Sequence, residues 1–384
     1  MTSLSTELST SWLWRCWFPS EGSPRLSMPA RLSLKLGAWL LSPLGVLGAS
    51  LGRIRLRQQM RAPRVRLPVI AVGNWIVGGA GKTPACMALA QALSERGYTP
   101  AILSRGFGGK IHSTDAPLVM DPRRLSMVSP SMSGDEPWLL AWRTGCPVAV
   151  HPNRLRAAQA IMTTFPAVDV LLLDDGLSQT TLQPSLRVLV LDDRLLGNGL
   201  CLPAGPLRHA WPPPSAYSID AVLARSATDV SGLWPTTPTP LLGQLTLRPD
   251  SWVRPIARGG AAVQAEQCSL ADMQTGTSPW ALCGIARPAA FVSTLASLGI
   301  RPTTCLALKD HAELPRQAFL KVLSLAHRRR MTGPSVLLMT EKDAVKFGHS
   351  PTEALCPWWA LRLDATLDPE WTDALLQKLK KAYG

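Results

Sequence analysis

The stretch VGNWIVGGAGKTPACMALAQAL, Val72 to Leu93, constrains this chain more than any other. It joins a short apolar, β-branched run, Leu67 to Val72, to a segment in which Met87, Leu89, Ala90 and Leu93 recur at helical spacing until Gly97. Strand, glycine loop, helix is the context in which main-chain N–H groups curl inward around an anion and a helix N-terminus adds partial positive charge. Gly78, Gly79, Ala80 and Gly81 form the candidate cradle. Lys82 can then reach the β- and γ-phosphates of ATP, and the Thr83 hydroxyl can ligate Mg²⁺. The usual pattern for such a loop asks for glycine five positions before Gly81, where this chain carries Ile76. The cradle is made by the last turns of the loop, so the geometry survives that substitution.

A matching metal site lies downstream in VDVLLLDDGLSQ, where an apolar strand from Val168 to Leu173 ends in Asp174 and Asp175. Carboxylates at the end of a parallel strand emerge beside the loop of the first strand, where they can hold Mg²⁺ directly or through water. Further apolar runs at Pro100 to Ser104 and Leu186 to Asp192 alternate with helical stretches over 136–144 and 154–163. That alternation predicts a doubly wound α/β sheet of the P-loop NTPase type. Near residues 212–245, WPPPSAYS and WPTTPTP interrupt the pattern, and LLGQLTLRP begins a candidate connecting strand. A second α/β pattern follows, with strands at Trp280 to Cys283 and SVLLMT and a helix through ARPAAFVSTLASLG. The expected organisation is a variable extension over 1–28, a basic and apolar segment over 29–66, a P-loop domain over 67–240, and a smaller C-terminal α/β lobe over 241–384.

Charge and hydropathy narrow the partner. With 40 basic against 26 acidic residues the net charge is +14, which favours a polyanion: nucleic acid, an anionic membrane surface, or a phosphorylated substrate. Leu36 to Gly52 is uncharged and flanked by Arg31 and Lys35 before it and Arg53, Arg55, Arg57, Arg61, Arg64 and Arg66 after it. The run contains Pro43 and falls short of the roughly 20 apolar residues of a bilayer span. A segment lying in the membrane interface, its arginines on anionic head groups, accounts for that layout; a core helix with a solvated basic connection is the alternative. Residues 1–27 show no useful period, leaving Met28 as a candidate start. The eight cysteines show no zinc or dithiol spacing and read as reduced thiols.

Several blocks belong to no generic phosphate loop: SRGFGG, GDEPWLLA, GNGLCLPAGPLR, CGIARPAAF, KDH and TEKDAVKF. Together with VGNWIVGGAGKTP and DDGLSQ, and in this order from about Pro29 to Lys346, they resemble the tetraacyldisaccharide 4′-kinases of lipid A biosynthesis. The resemblance implies that ATP, with Mg²⁺, phosphorylates the 4′-hydroxyl of a tetraacylated disaccharide 1-phosphate at the cytoplasmic face of the bacterial inner membrane. It also implies that Asp135 of GDEP is the general base, with His311 of KDH paired to it, and that Arg154 and Arg208 contact anionic substrate. A sugar hydroxyl must shed a proton during transfer, and a carboxylate can accept it. From the residues alone, Asp135 reads equally as a helix N-cap with Pro137 in the first turn, and His311 as a surface loop histidine. Arg105 could assist a phosphate or cap a strand, and Lys342 and Asp343 could brace the lobes or the nucleotide, or form an internal salt bridge.

The chain departs from the family pattern at Ile76 in place of a hydroxyl residue, at Ser178 and Gln179 in place of glutamine and histidine, at His209 in place of an acid, and at Ala312 in place of a second histidine. Lys82, Thr83, Asp135, Asp174, Asp175 and His311 are intact, so activity is expected. Two other classes compete. A membrane-surface ATPase switch shares the loop but needs no sugar-hydroxyl base, and GDEP with KDH tells against it. A nucleic-acid binder would suit the charge, but the basic residues crowd beside the apolar run and no aromatic-basic RNA motif is present, so no nucleic-acid partner is expected.

Overall fold

The computed structural model describes residues 16–18, 36–225, 228–234, 239–256, 262–273, 278–308, 319, 321–322, 324, 335–346 and 357–383. In chain order the main elements are α1 (Ser42–Met60), β1 (Val69–Gly73), α2 (Lys82–Glu95), β2 (Pro100–Ser104), β3 (Leu118–Met120), α3 (Asp135–Thr144), β4 (Val148–Val150), α4 (Arg154–Thr164), β5 (Val170–Asp174), β6 (Leu186–Leu191) and β7 (Ala221–Arg225). There follow β8 (Leu241–Ile256), β9 (Gln264–Cys268), β10 (Ser278–Cys283), α5 (Pro288–Ser297), β11 (Thr304–Ala307), β12 (Ser335–Thr340), β13 (Trp358–Leu367) and α6 (Pro369–Tyr383).

Among the described residues the strands form one sheet in the order β11-β10-β12-β13-β8-β7-β6-β1-β5-β2-β4-β3, with β9 paired to β8. From β8 through to β4 every neighbour is parallel. β1 and β5 are buried along their whole length, and successive residues feed opposite faces of the sheet. Ile70, Val72, Val170 and Leu172 pack under α2, α3 and α6, while Val69, Ala71, Leu171 and Leu173 pack under α4 and the inner face of α1. The chain leaves β1 toward β2 and later crosses to β6 on the other side, so β1 ends at the point where the winding reverses. Open α/β sheets bind ligands in the crevice outside the strand ends at that point.

The interruption at 212–245 leads into β8, which is longer than a linker. Its first residues pair in parallel with β7 and its later ones antiparallel with β13, so one strand joins both halves of the sheet. At Gly243 a Cβ would stand 2.3 Å from the Trp371 ring, so only glycine lets α6 close over this junction.

The segment ahead of β1 is a helix with two unlike faces. Leu44, Val46, Leu47, Leu51 and Ile54 of α1 are exposed, whereas Gly45, Gly52, Leu56 and Gln59 are buried. The glycines seat the helix on the 201–209 loop: a Cβ at Gly48 would lie 2.4 Å from the Leu202 carbonyl oxygen, and one at Gly52 3.0 Å from His209 Nδ1. No helix among the described residues is long and apolar enough to cross a membrane.

Residues 16–18, within the extension that showed no period, are part of the core. Phe18 is 1% exposed, its ring lies 5.1 Å from the Arg194 guanidinium, and Asn198 ties the segment down through the carbonyls of Cys16 and Trp17. Long-range packing holds these residues, which is why no local period revealed them. Phe18→Ala is expected to lower stability by about 3 kcal/mol. A urea-unfolding midpoint equal to that of the wild type would show that the ring is not docked.

Candidate active site

The loop after β1 is closed by one buried amide. Asn74, the first residue beyond the strand, donates from Nδ2 to the carbonyls of Ile76 (2.8 Å) and Gly78 (3.0 Å), and its Oδ1 accepts from Lys82 Nζ at 3.2 Å. Gly78 and Gly81 take φ of 94° and 90°, the left-handed region that a glycine enters without a Cβ clash. α2 starts at Lys82 with no acidic residue in its first turn, so its N–H groups face the loop unopposed. Thr83 follows, partly buried. Ile76 is 1% exposed and bridges to Leu207, while Val77 N donates to Pro206 O at 2.9 Å. The departure from glycine or a hydroxyl residue there is thus a packing position that zips LPAGPLR onto the loop. Arg194, held by Asp192, donates to the Gly79 carbonyl at 3.0 Å.

Asp174 is the last residue of β5 and pairs in register with Val72 of β1. It is 3% exposed; Oδ2 accepts from Ser104 Oγ at 3.3 Å, and Oδ1 has no hydrogen-bond partner among the described residues. Burial, and then the charges of Glu136 and Asp175, push its carboxyl up to about 7. Asp175 turns the chain at φ 51°, ψ 44°, a left-handed conformation that is unusual for a residue with a side chain. Its carboxylate meets Arg208 at 2.9 Å and Lys82 at 3.6 Å. Burial alone would raise its pKa, but those two cations outweigh it and hold the group below the usual carboxylate range.

The structure brings Lys82, Asp174, Asp175 and Arg208 together, and sets Arg154 beside them. Arg154 is 2% exposed and donates to the His151 carbonyl at 2.8 Å; its Nε has no partner among the described residues. Burial lowers its pKa to about 10, so it stays cationic at neutral pH.

Asp135 is the first residue of α3 and 6% exposed. The N-cap position falls on Gly134, one residue earlier than an N-cap reading of Asp135 requires, because φ of 90° at Gly134 is open only to glycine. Gly134 also lies against the SRGFGG loop, where an added Cβ would stand 2.7 Å from the Phe107 carbonyl oxygen. That close approach is the structural use of SRGFGG, and Arg105 within it is exposed. Asp135 Oδ1 accepts from Glu136 N at 2.9 Å, and Oδ2 stands 3.6 Å from Lys346 Nζ. Lys342 pairs with Glu136 at 2.9 Å, an internal salt bridge that also braces the two halves, while Asp343 accepts from Gly284 N. His311, and Ala312 with it, lie outside the described residues.

Asn74, Glu136, Arg194 and Lys346 were not singled out from sequence. Asn74 had a signal, standing between the strand and the glycines; the other three act through partners remote in sequence.

Two of the departures meet. Ser178 Oγ lies 2.7 Å from His209 Nε2, with the imidazole edge-on to Trp75 at 5.3 Å between centroids. Burial, with Arg208 and Arg55 adding to it, lowers the His209 pKa from 6.5 to about 4. Between those values the unfolded chain takes up a proton that the folded chain refuses, so stability falls as pH falls, by up to about 1.4 kcal/mol per pH unit from this group. His209→Gln should flatten that loss when urea unfolding is compared at pH 6.5 and 4.5; a variant as acid-sensitive as the wild type contradicts the assignment.

With the geometry in place, known proteins give it a setting. The profile of the tetraacyldisaccharide-1-P 4′-kinase family matches residues 37–380. A tetraacyldisaccharide 4′-kinase of Bordetella petrii is 38% identical over 90% of this chain and 92% of its own length, and one of Dechloromonas aromatica is 37% identical over 96% and 97%. The crystal structure of LpxK from Aquifex aeolicus in complex with ATP shares the fold, with a TM-score of 0.65 and 22% identity over 90% of this chain and 99% of that one. The chain belongs to the tetraacyldisaccharide-1-P 4′-kinase family.

Proposed function

We propose that the chain transfers the γ-phosphoryl group of ATP to the 4′-hydroxyl of a tetraacyldisaccharide 1-phosphate, the product being lipid IVA. The observation that carries this reading is a further carboxylate beyond the aspartate pair: Asp135 is buried at the first position of α3, with the neighbouring Glu136 tied to Lys342 of the C-terminal half. An ATPase switch needs the loop, Lys82 and Asp174; it has no use for a carboxylate of this kind on the acceptor side.

In this mechanism the loop amides and Lys82 hold the triphosphate, and little covalent work falls to the protein beyond positioning and charge neutralisation. Mg²⁺ fits the residues present. Asp174 has a buried carboxylate oxygen without a partner among the described residues, and Thr83 supplies a hydroxyl. Mg²⁺ usually keeps several waters and takes one or two carboxylates beside phosphate oxygens, a donor set that Asp174 and Thr83 could supply. When bound, the ion neutralises charge on the phosphate oxygens. Asp175 orients Lys82 and Arg208, and Arg154 adds positive charge from beneath. Asp135 accepts the proton of the acceptor hydroxyl, its Oδ2 lying 3.6 Å from Lys346 Nζ; His311 is assigned to support it.

The exposed apolar face of α1, with Arg53, Arg55 and Arg57 on the same helix, suits a position in the interface of an anionic membrane, where an acylated acceptor resides. The expected location is the cytoplasmic face of the bacterial inner membrane. The N-terminal segment, the P-loop half and the C-terminal half would then serve membrane, nucleotide and closure of the cleft respectively.

Incubation with Mg-ATP and the lipid disaccharide should yield, by mass spectrometry, a product heavier by one phosphate. Asp135→Asn should reduce its formation about 10²- to 10⁴-fold with ATP binding retained, and Lys82→Ala should lose transfer altogether. ATP hydrolysis without lipid phosphorylation, responding only to a protein partner, would favour the switch.

A further inference from the structure

We propose that Gln59, on the interfacial helix α1, is a positioning residue of the phosphate-transfer site that holds the 175–179 turn and with it the Asp175 carboxylate. This deepens the reading above and rests on it, since it takes Asp174 and Asp175 to serve Mg²⁺ and the nucleotide.

Gln59 is 0% exposed and hydrogen-bonded at both ends of its amide. Nε2 donates to the carbonyls of Gly176 (2.7 Å) and Gln179 (2.8 Å), and Oε1 accepts from Arg187 Nε at 3.3 Å. Arg187 in turn lies 4.4 Å over the Tyr217 ring, and the Tyr217 hydroxyl donates to the Leu177 carbonyl at 2.9 Å. One buried network therefore grips three of the four carbonyls that follow Asp175.

The turn needs such a grip. A residue with a side chain in the left-handed region is strained and persists only where its surroundings over-determine it. Gly176, directly after it, is wedged so closely that a Cβ would stand 2.6 Å from Leu173 Cβ and 2.8 Å from Ala71 Cβ. Sterics fix that wall of the turn; Gln59 fixes the direction of the Gly176 and Gln179 carbonyls, and Tyr217 that of Leu177. Rotation of the Gly176 peptide would swing Asp175 away from Lys82 and Arg208. The same helix presents Leu44, Val46, Leu47 and Leu51 outward, so the element that meets the membrane interface also sets the carboxylate turn.

The test uses the full chain and equilibrium binding of a fluorescent ATP analogue titrated with Mg²⁺, which needs no turnover. Gln59→Ala, and Gln59→Glu, which keeps the bulk but removes the two donor N–H groups, should each raise the Mg²⁺ concentration for half-saturation about tenfold or more. Leu56→Ala leaves a cavity on the same buried face of α1; it should lower the melting temperature while leaving the Mg²⁺ requirement unchanged. A wild-type Mg²⁺ requirement in both folded Gln59 variants overturns the proposal and leaves the kinase reading standing. Absence of Mg²⁺-dependent nucleotide binding by the wild type overturns both.

Discussion

Parallel pairing of β1 with β5 on one side and β6 on the other is the constraint from which the rest of this molecule follows. Strands that run in the same direction end together, and the Val72–Asp174 register brings the start of the phosphate loop level with a carboxylate. Asn74, Lys82, Asp174 and Asp175 converge there because the hydrogen-bond ladder leaves them no other place. The site is correspondingly charged before any ligand arrives: a buried acid whose protonation lies near neutrality, a second acid locked between two cations, and a buried arginine beneath them. Perturbed ionisable groups of this kind concentrate at functional sites, and the buried Asp174 carboxyl is the one that burial disfavours most in its charged form.

The second half of the chain reaches the same place through the continuous sheet. β8 carries hydrogen bonds to both sides, and the segment after β10 brings Ala286 against Gly79 and Arg287 onto Asp193. Lys342 joins Glu136 across 206 residues of sequence. Partly exposed pairs of this kind add at most about 1 kcal/mol each. The Lys342–Glu136 pair ties the first turn of α3, beside Asp135, to the C-terminal half.

Much of this was legible in the sequence because the signals are local. The apolar run before the glycines, the helix after them, and the paired aspartates closing VLLLDD each state their structure within a dozen residues, and the helices at 135–144 and 154–164 fall within a residue of the periodic stretches. What was not legible depends on partners far away. Phe18 has no periodic neighbour and is recognised only once Arg194 lies over it. The glycines of α1 looked like interruptions of an apolar run, and their purpose appears only against the 201–209 loop. Ile76 looked like an error in a motif, yet its residue type follows from its bridge to Leu207. The departures at Ser178 and His209 are separate in sequence and in contact in space.

The central claim is that one crevice holds the triphosphate tail on the loop and a proton acceptor on the far side of its terminal phosphorus. A crystal structure with Mg²⁺ and a non-hydrolysable ATP analogue measures this directly. The terminal phosphate should sit against Lys82 and the loop amides, with the Asp135 carboxylate facing it across the space of one sugar hydroxyl. A terminal phosphate turned away from Asp135, or a nucleotide bound outside the Gly78 to Thr83 loop, would contradict the account.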